Sequence, residues 1–131
     1  MTTEGKKHAV IRNWRDQEPR VGHINAVVWG MLGSANTEGE KEDLHCMQGI
    51  AGIAKHAVQS GKGTDYHSHP DAEQVYCILK GNGVMFIDDE RRPVREGDIV
   101  YLPPNCKHQM LNESDDWVEH YIITCTVPNS D

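Results

Sequence analysis

Three histidines, His67, His69 and His108, are the residues of this chain whose type and spacing best suit chemistry. On an extended segment, residues two apart project to the same side, so both imidazoles of His67-Ser68-His69 can face one point. Imidazole is the commonest protein ligand for a metal ion, and two on one side form an edge of a coordination sphere. Pro103-Pro104-Asn105 stops a strand and turns the chain, and Asn accepts the left-handed conformation that such a turn needs. His108 follows three residues later and would return towards the same centre. Further ligands from neighbouring strands would complete a metal site with positions left open for water or substrate.

These side chains need a scaffold of short strands, and turn signals supply one. Gly33-Ser34-Ala35-Asn36 leads into the acidic run Glu38-Gly39-Glu40-Lys41-Glu42-Asp43, which reads as a solvated loop. Ser60-Gly61-Lys62-Gly63, Gly81-Asn82-Gly83, Asp88-Asp89-Glu90, Glu96-Gly97-Asp98 and Asn112-Glu113-Ser114 punctuate the rest. Between them lie strand-like runs at Val21–Leu32, Val75–Leu79, Val84–Ile87, Ile99–Leu102 and Trp117–Val127. In the last run Val118, His120, Ile122 and Thr124 share one parity and Tyr121, Ile123 and Cys125 the other, the period of a strand. Met47–Gln59 is alanine-rich, but Gly49 and Gly52 weaken a helix there and no apolar stripe forms, so it reads as a strand. Many short strands at close spacing predict an all-β sandwich or barrel.

Two segments, Gly61-x5-His67-Ser68-His69-x4-Gln74-x6-Gly81 and Gly97-x5-Pro103-Pro104-Asn105-x2-His108-x3-Asn112, resemble the two motifs of the cupin superfamily. Those motifs read G-x5-H-x-H-x(3 or 4)-E-x6-G and G-x5-P-x-G-x2-H-x3-N. The resemblance implies a double-stranded β-helix, a jelly-roll barrel of two antiparallel sheets, filling residues 1–131 as one small cupin domain. It also implies one divalent metal (Zn, Fe, Ni, Mn or Cu) held by His67, His69, His108 and a residue at the carboxylate position. Seven residues before Gly81 stands Gln74 rather than glutamate, while the neighbouring Glu73 fits the shorter spacing. Adjacent strand residues face opposite ways, so one of the two is the ligand; the register set by Gly81 favours Gln74. Asn105 replaces the family glycine, a mild change, since both accept left-handed backbone.

The choice between Gln74 and Glu73 sets the chemistry. With Gln74 every ligand is neutral, the metal charge is uncompensated, and an anionic carboxylate, enediolate or keto acid is attracted. With Glu73 the site would approach the carboxylate-containing iron sites that activate dioxygen. The expected function is therefore a metal-dependent enzyme acting on a small polar, anionic metabolite by isomerase, tautomerase or lyase chemistry. Tyr76 and Tyr101 are candidate proton donors. The alternatives are a non-haem iron dioxygenase and a non-catalytic metabolite-binding or sensor protein.

Composition removes other classes. The net charge is −7 and no block of Lys or Arg offsets it, which argues against nucleic acid and against an anionic membrane surface. No stretch approaches the apolar length of a membrane span, and the start, MTTEGKKHAV, has no apolar run after its lysines. Cys46, Cys77, Cys106 and Cys125 form no C-x-x-C pair and read as reduced thiols of a cytoplasmic protein, Cys106 among them as a structural thiol. His45, His56 and His120 read as ordinary strand histidines, and His23 carries no signal. By the habit of the family the chain is expected to be a homodimer, with its N-terminal segment on the partner.

Overall fold

The computed structural model describes residues 9–35 and 44–128; the acidic run 38–43 lies outside them. After a 3₁₀ turn at Trp14–Asp16, ten strands follow: β1 (Arg20–Gly22), β2 (Ala26–Ser34), β3 (His45–Met47), β4 (Gly52–Val58) and β5 (Ala72–Lys80), then β6 (Asn82–Ile87), β7 (Glu90–Arg95), β8 (Ile99–Leu102), β9 (His108–Leu111) and β10 (Val118–Thr126). Seven form one sheet in the order β1-β2-β4-β10-β5-β8, with β3 parallel to β2 at its edge; β7-β6-β9 form the other. Apart from that parallel edge every pairing is antiparallel, and the two sheets build the double-stranded β-helix that the sequence implies.

Alternation decides which side chains meet. On β10 the parity carrying Val118, His120 and Ile122 is buried, and it packs with Val28, Val58, Tyr76, Ile78, Met85, Leu102 and Met110 to form the core between the sheets. On β5, Gln74, Tyr76 and Ile78 share the inner face, and Glu73, Val75 and Cys77 the outer one. The pairing of Gln74 with Leu102 and of Val75 with Tyr101 carries the same alternation onto β8.

Three sequence expectations change. Val21–Leu32 is two strands rather than one: His23 (φ 49°) and Ile24 (φ 72°) turn left-handed and fold β1 back on β2. Neither left-handed position is a glycine; Gly22 stands just before them, as the last residue of β1. The hairpin is tied down by Asn25 Nδ2 donating to the Gly63 carbonyl at 3.0 Å and by His23 Nδ1 meeting Asp65 Oδ1 at 3.1 Å. Gly33 and Ser34, read as a turn, are the last residues of β2. Met47–Gln59 divides into β3 and β4 around Gly49. One strand, β7, went unrecognised because five of its six residues are exposed and most are charged, which leaves no apolar alternation to read.

The motif punctuation takes the expected form. Gly81 has φ 89°, and a Cβ there would lie 2.4 Å from the Trp117 carbonyl oxygen, so only glycine fits between β5 and β6. Asn105 does adopt the left-handed conformation, at φ 67°.

Candidate metal centre

The chain carrying His67 and His69 is not a regular strand. It runs antiparallel beside β9 through isolated bridges, Gly63 with Leu111 and His67 with His108. The last bridge is reciprocal: His67 N donates to His108 O at 3.1 Å and His108 N to His67 O at 2.8 Å. The second motif also fixes the first, since the left-handed Asn105 aims its N–H at the His69 carbonyl, at 2.8 Å. Backbone contacts thus bring His67, His69 and His108 together, and their nearest ring nitrogens all lie within 4.8 Å of one another.

Hydrogen bonds on the far sides of the rings turn the remaining nitrogens inwards. His108 Nδ1 lies 2.9 Å from the Cys106 carbonyl, which can only accept, so the proton sits on Nδ1 and Nε2 keeps its lone pair. His67 Nδ1 is held in the same way by the Asp65 backbone oxygen at 3.1 Å and Oδ2 at 3.2 Å. The Nε2 atoms of His69 and His108 are buried without a hydrogen-bond partner among the described residues. Burial lowers the pKa of both rings, with the neighbouring histidines adding to the effect, so both favour the neutral form that can ligate.

Gln74 and Glu73 separate by face. Gln74 lines the same cavity as His67; its Nε2 donates to Thr124 Oγ1 at 3.0 Å and its Oε1 is buried without a partner. Glu73 points outwards and accepts from Tyr101 at 2.9 Å. Tyr101 is 57% exposed on that outer face, so the structure does not bring it to the cluster, against the expectation for a proton donor. Tyr76 is buried, with its ring 6.0 Å from that of His108 and stacked on His120 at 5.0 Å. The clustered ring nitrogens of His67, His69 and His108, with the unsatisfied Gln74 Oε1 in the cavity that His67 also lines, are donors of the neutral nitrogen and amide-oxygen kind. The donor set fits a divalent metal.

The cavity beside the cluster measures about 350 Å³. It exists because the inner positions of β2 and β4 there are Gly30, Ala54 and Gly52, which leave the space unfilled; a Cβ on Gly30 would meet nothing within 4 Å. Three more histidines stand at or near it, His23 and His56 in its wall and His120 behind His56. His23, at the hairpin turn, stacks on His67 (5.3 Å, 17°) and shares with Asp65 and His67 a second grouping whose ligand atoms lie within 4.8 Å. His56 and His120 are cross-strand partners, both buried, each with its pKa lowered to about 3, chiefly by burial. The parity of His120 with Val118 and Ile122 was a usable signal; His23 had none, because it arrives through a turn that the sequence does not announce. All four cysteines are free, and the Cys106 thiol is pushed up by burial and by Asp88, as an unreactive thiol would be.

The sequence model of the Cupin domain family matches residues 55–124, more than half of the chain. The chain belongs to the cupin family. An uncharacterized protein from Methanocaldococcus jannaschii is 36% identical over 76 residues, 58% of this chain and 59% of that protein. A glucose-6-phosphate isomerase from Pyrococcus abyssi is 39% identical over 56 residues, 39% of this chain and 30% of the isomerase. An acireductone dioxygenase from Schizosaccharomyces pombe is 39% identical over 57 residues, 40% of this chain and 32% of the enzyme. The cupin thus aligns with about three fifths or less of each curated relative. Among solved structures, a predicted oxalate decarboxylase from Thermotoga maritima superposes with a TM-score of 0.75 at 17% identity, over 90% of this chain and all of that one, a likeness of fold.

Proposed function

We propose that this cupin is a metal-dependent enzyme acting on a small anionic metabolite by Lewis-acid chemistry of the isomerase, tautomerase or lyase kind. His67, His69, Gln74 and His108 are its metal ligands. The observation that carries this reading is the trio of buried acceptors, His69 Nε2, His108 Nε2 and Gln74 Oε1, left without hydrogen bonds. Each unmet buried acceptor costs about 1–3 kcal/mol, and ligation removes that cost for all three. Zn, Fe, Ni, Mn or Cu suits imidazole ligands, and the bound ion supplies a Lewis acid that polarises a carbonyl or carboxylate oxygen.

The chain's own residues do the rest. No carboxylate joins the set, because Glu73 is turned outwards to Tyr101, so the site favours an anionic ligand. Burial raises the Tyr76 pKa, so at neutral pH the phenol keeps its proton and can donate a hydrogen bond to an oxyanion forming beside it. Buried, neutral His56 and His120 add polar groups without adding charge. The reading includes a cytoplasmic homodimer; four free cysteines support the first part, and the exposed Val21 and Ile24 of the N-terminal hairpin support the second.

The test is hydrogen exchange from D2O into aldose phosphates, ketose phosphates and 2-keto acids by the metal-loaded protein, followed by NMR. Exchange at the carbon next to the carbonyl, lost in His108→Ala, is expected. The similarity to the dioxygenase favours iron-dependent oxygen chemistry as the second reading. Oxygen uptake without exchange would establish that reading, and saturable binding with neither would leave a metabolite-binding module.

A further inference from the structure

The cross-strand row Arg20–Val28–His56–His120 runs from β1 through β2 and β4 to β10. Val28, His56 and His120 are all buried, and Arg20, itself exposed at the end of the row, lines the cavity beside the histidine cluster. The next residue of β1 on that face is Gly22, over which the guanidinium lies: a Cβ there would come within 3.0 Å of Arg20 Nη1. Among the described residues that guanidinium makes no ion pair or side-chain hydrogen bond.

Among the described residues no carboxylate lines the cavity. Asp65, at its edge, is taken up by His23 at 3.1 Å and His67 at 3.2 Å. In a protein of net charge −7, a guanidinium without a carboxylate partner among the described residues therefore stands at the chamber that His67 and Gln74 line. A guanidinium is a planar fork of donors that matches carboxylate or phosphate oxygens two at a time. We propose that Arg20 anchors the anionic head group of the ligand and thereby sets specificity, from a strand outside the family-matched residues 55–124. The proposal deepens the preceding reading, on which it rests for the ligand's other end, at the metal. The head group is a phosphate monoester or a carboxylate, at one end of a metabolite small enough for about 350 Å³, the low end of ligand cavities.

The experiment is titration calorimetry with inorganic phosphate and with malonate on the wild type, Arg20→Gln, Arg20→Lys and His108→Ala. Each is measured metal-loaded and after chelation, with thermal melts confirming that the variants fold. Saturable binding of at least one probe to the wild type in both states is expected. Arg20→Gln should weaken it at least tenfold in both, at unchanged metal content, with Arg20→Lys in between. Whichever probe binds more tightly identifies the head group. Equal affinities of wild type and Arg20→Gln, or no saturable binding to the chelated wild type, would overturn the proposal. His108→Ala separates the two readings: its metal content tests the metal site, while its retained, Arg20-dependent anion binding is expected whichever way that test falls.

Discussion

Gln74 and Thr124 face each other across β5 and β10, and the Gln74 amide nitrogen donates to Thr124 Oγ1 at 3.0 Å. The bond fixes which end of the amide is free, and the free end is the carbonyl oxygen that a metal can use. Thr124→Val removes the acceptor and releases the amide to rotate. Metal affinity should fall about 10–100-fold, the usual loss when the partner that orients a ligand is removed. Thr124→Ser should retain it. Competition with a chromogenic chelator measures both; equal affinity in Thr124→Val would mean that Gln74 does not ligate.

Gly30 is the emptiest place in the cavity wall. Its backbone is not in the left-handed region, and a side chain there meets only open space. Gly30→Leu should therefore fold, keep its metal and lose ligand binding by tenfold or more. Metal analysis beside ligand titration checks this, and undiminished binding would place the ligand elsewhere.

How much of this was legible depended on how local each signal was. That His67, His69 and His108 come together could be read because two sit two residues apart and the third follows a Pro-Pro-Asn turn, all local features. That Gln74 rather than Glu73 faces the cavity could be read because strand parity, fixed by Gly81, is local too. Tyr101 could not be placed, because its face depends on pairing with Val75 across β5 and β8. His23 and Arg20 were invisible for a similar reason. They reach the cavity through a hairpin held by long-range bonds to Gly63 and Asp65, whose left-handed positions are His23 and Ile24 rather than glycine.

His56 and His120 should make the fold sensitive to acid. Both are neutral in the folded state, with pKa values near 3 against 6.5 when unfolded. Between those values the unfolded chain binds more protons, so stability is complete above pH 6.5 and falls as the pH drops towards 3. Each histidine contributes a slope of up to about 1.4 kcal/mol per pH unit. Denaturant unfolding from pH 7 to 4 should show this, and His120→Phe, which keeps the stack on Tyr76, should flatten the slope. An unchanged slope would mean that His120 is not the titrating group.

Lys55 holds the N-terminal segment to the outer face of the sheet. It is 2% exposed, its Nζ meets Glu119 at 2.5 Å and lies 3.6 Å from the Trp14 ring centroid and 4.5 Å from that of Trp29. Lys55→Ala should cost about 2–3 kcal/mol of stability, because it leaves the partly buried Glu119 carboxylate only the longer pair with Lys80, at 3.9 Å, and unseats both indoles. The metal content should not change. Chemical denaturation with metal analysis tests the two statements together.

His67, His69, Gln74 and His108 are proposed to hold one divalent ion. Elemental analysis of the untagged protein, with His108→Ala, Gln74→Ala and Glu73→Ala alongside, tests it most directly. The expected result is near one equivalent of metal in the wild type and in Glu73→Ala, less in Gln74→Ala, and none in His108→Ala. A wild type that neither carries nor takes up metal would contradict the account, as would a Glu73→Ala variant that loses the ion while Gln74→Ala keeps it.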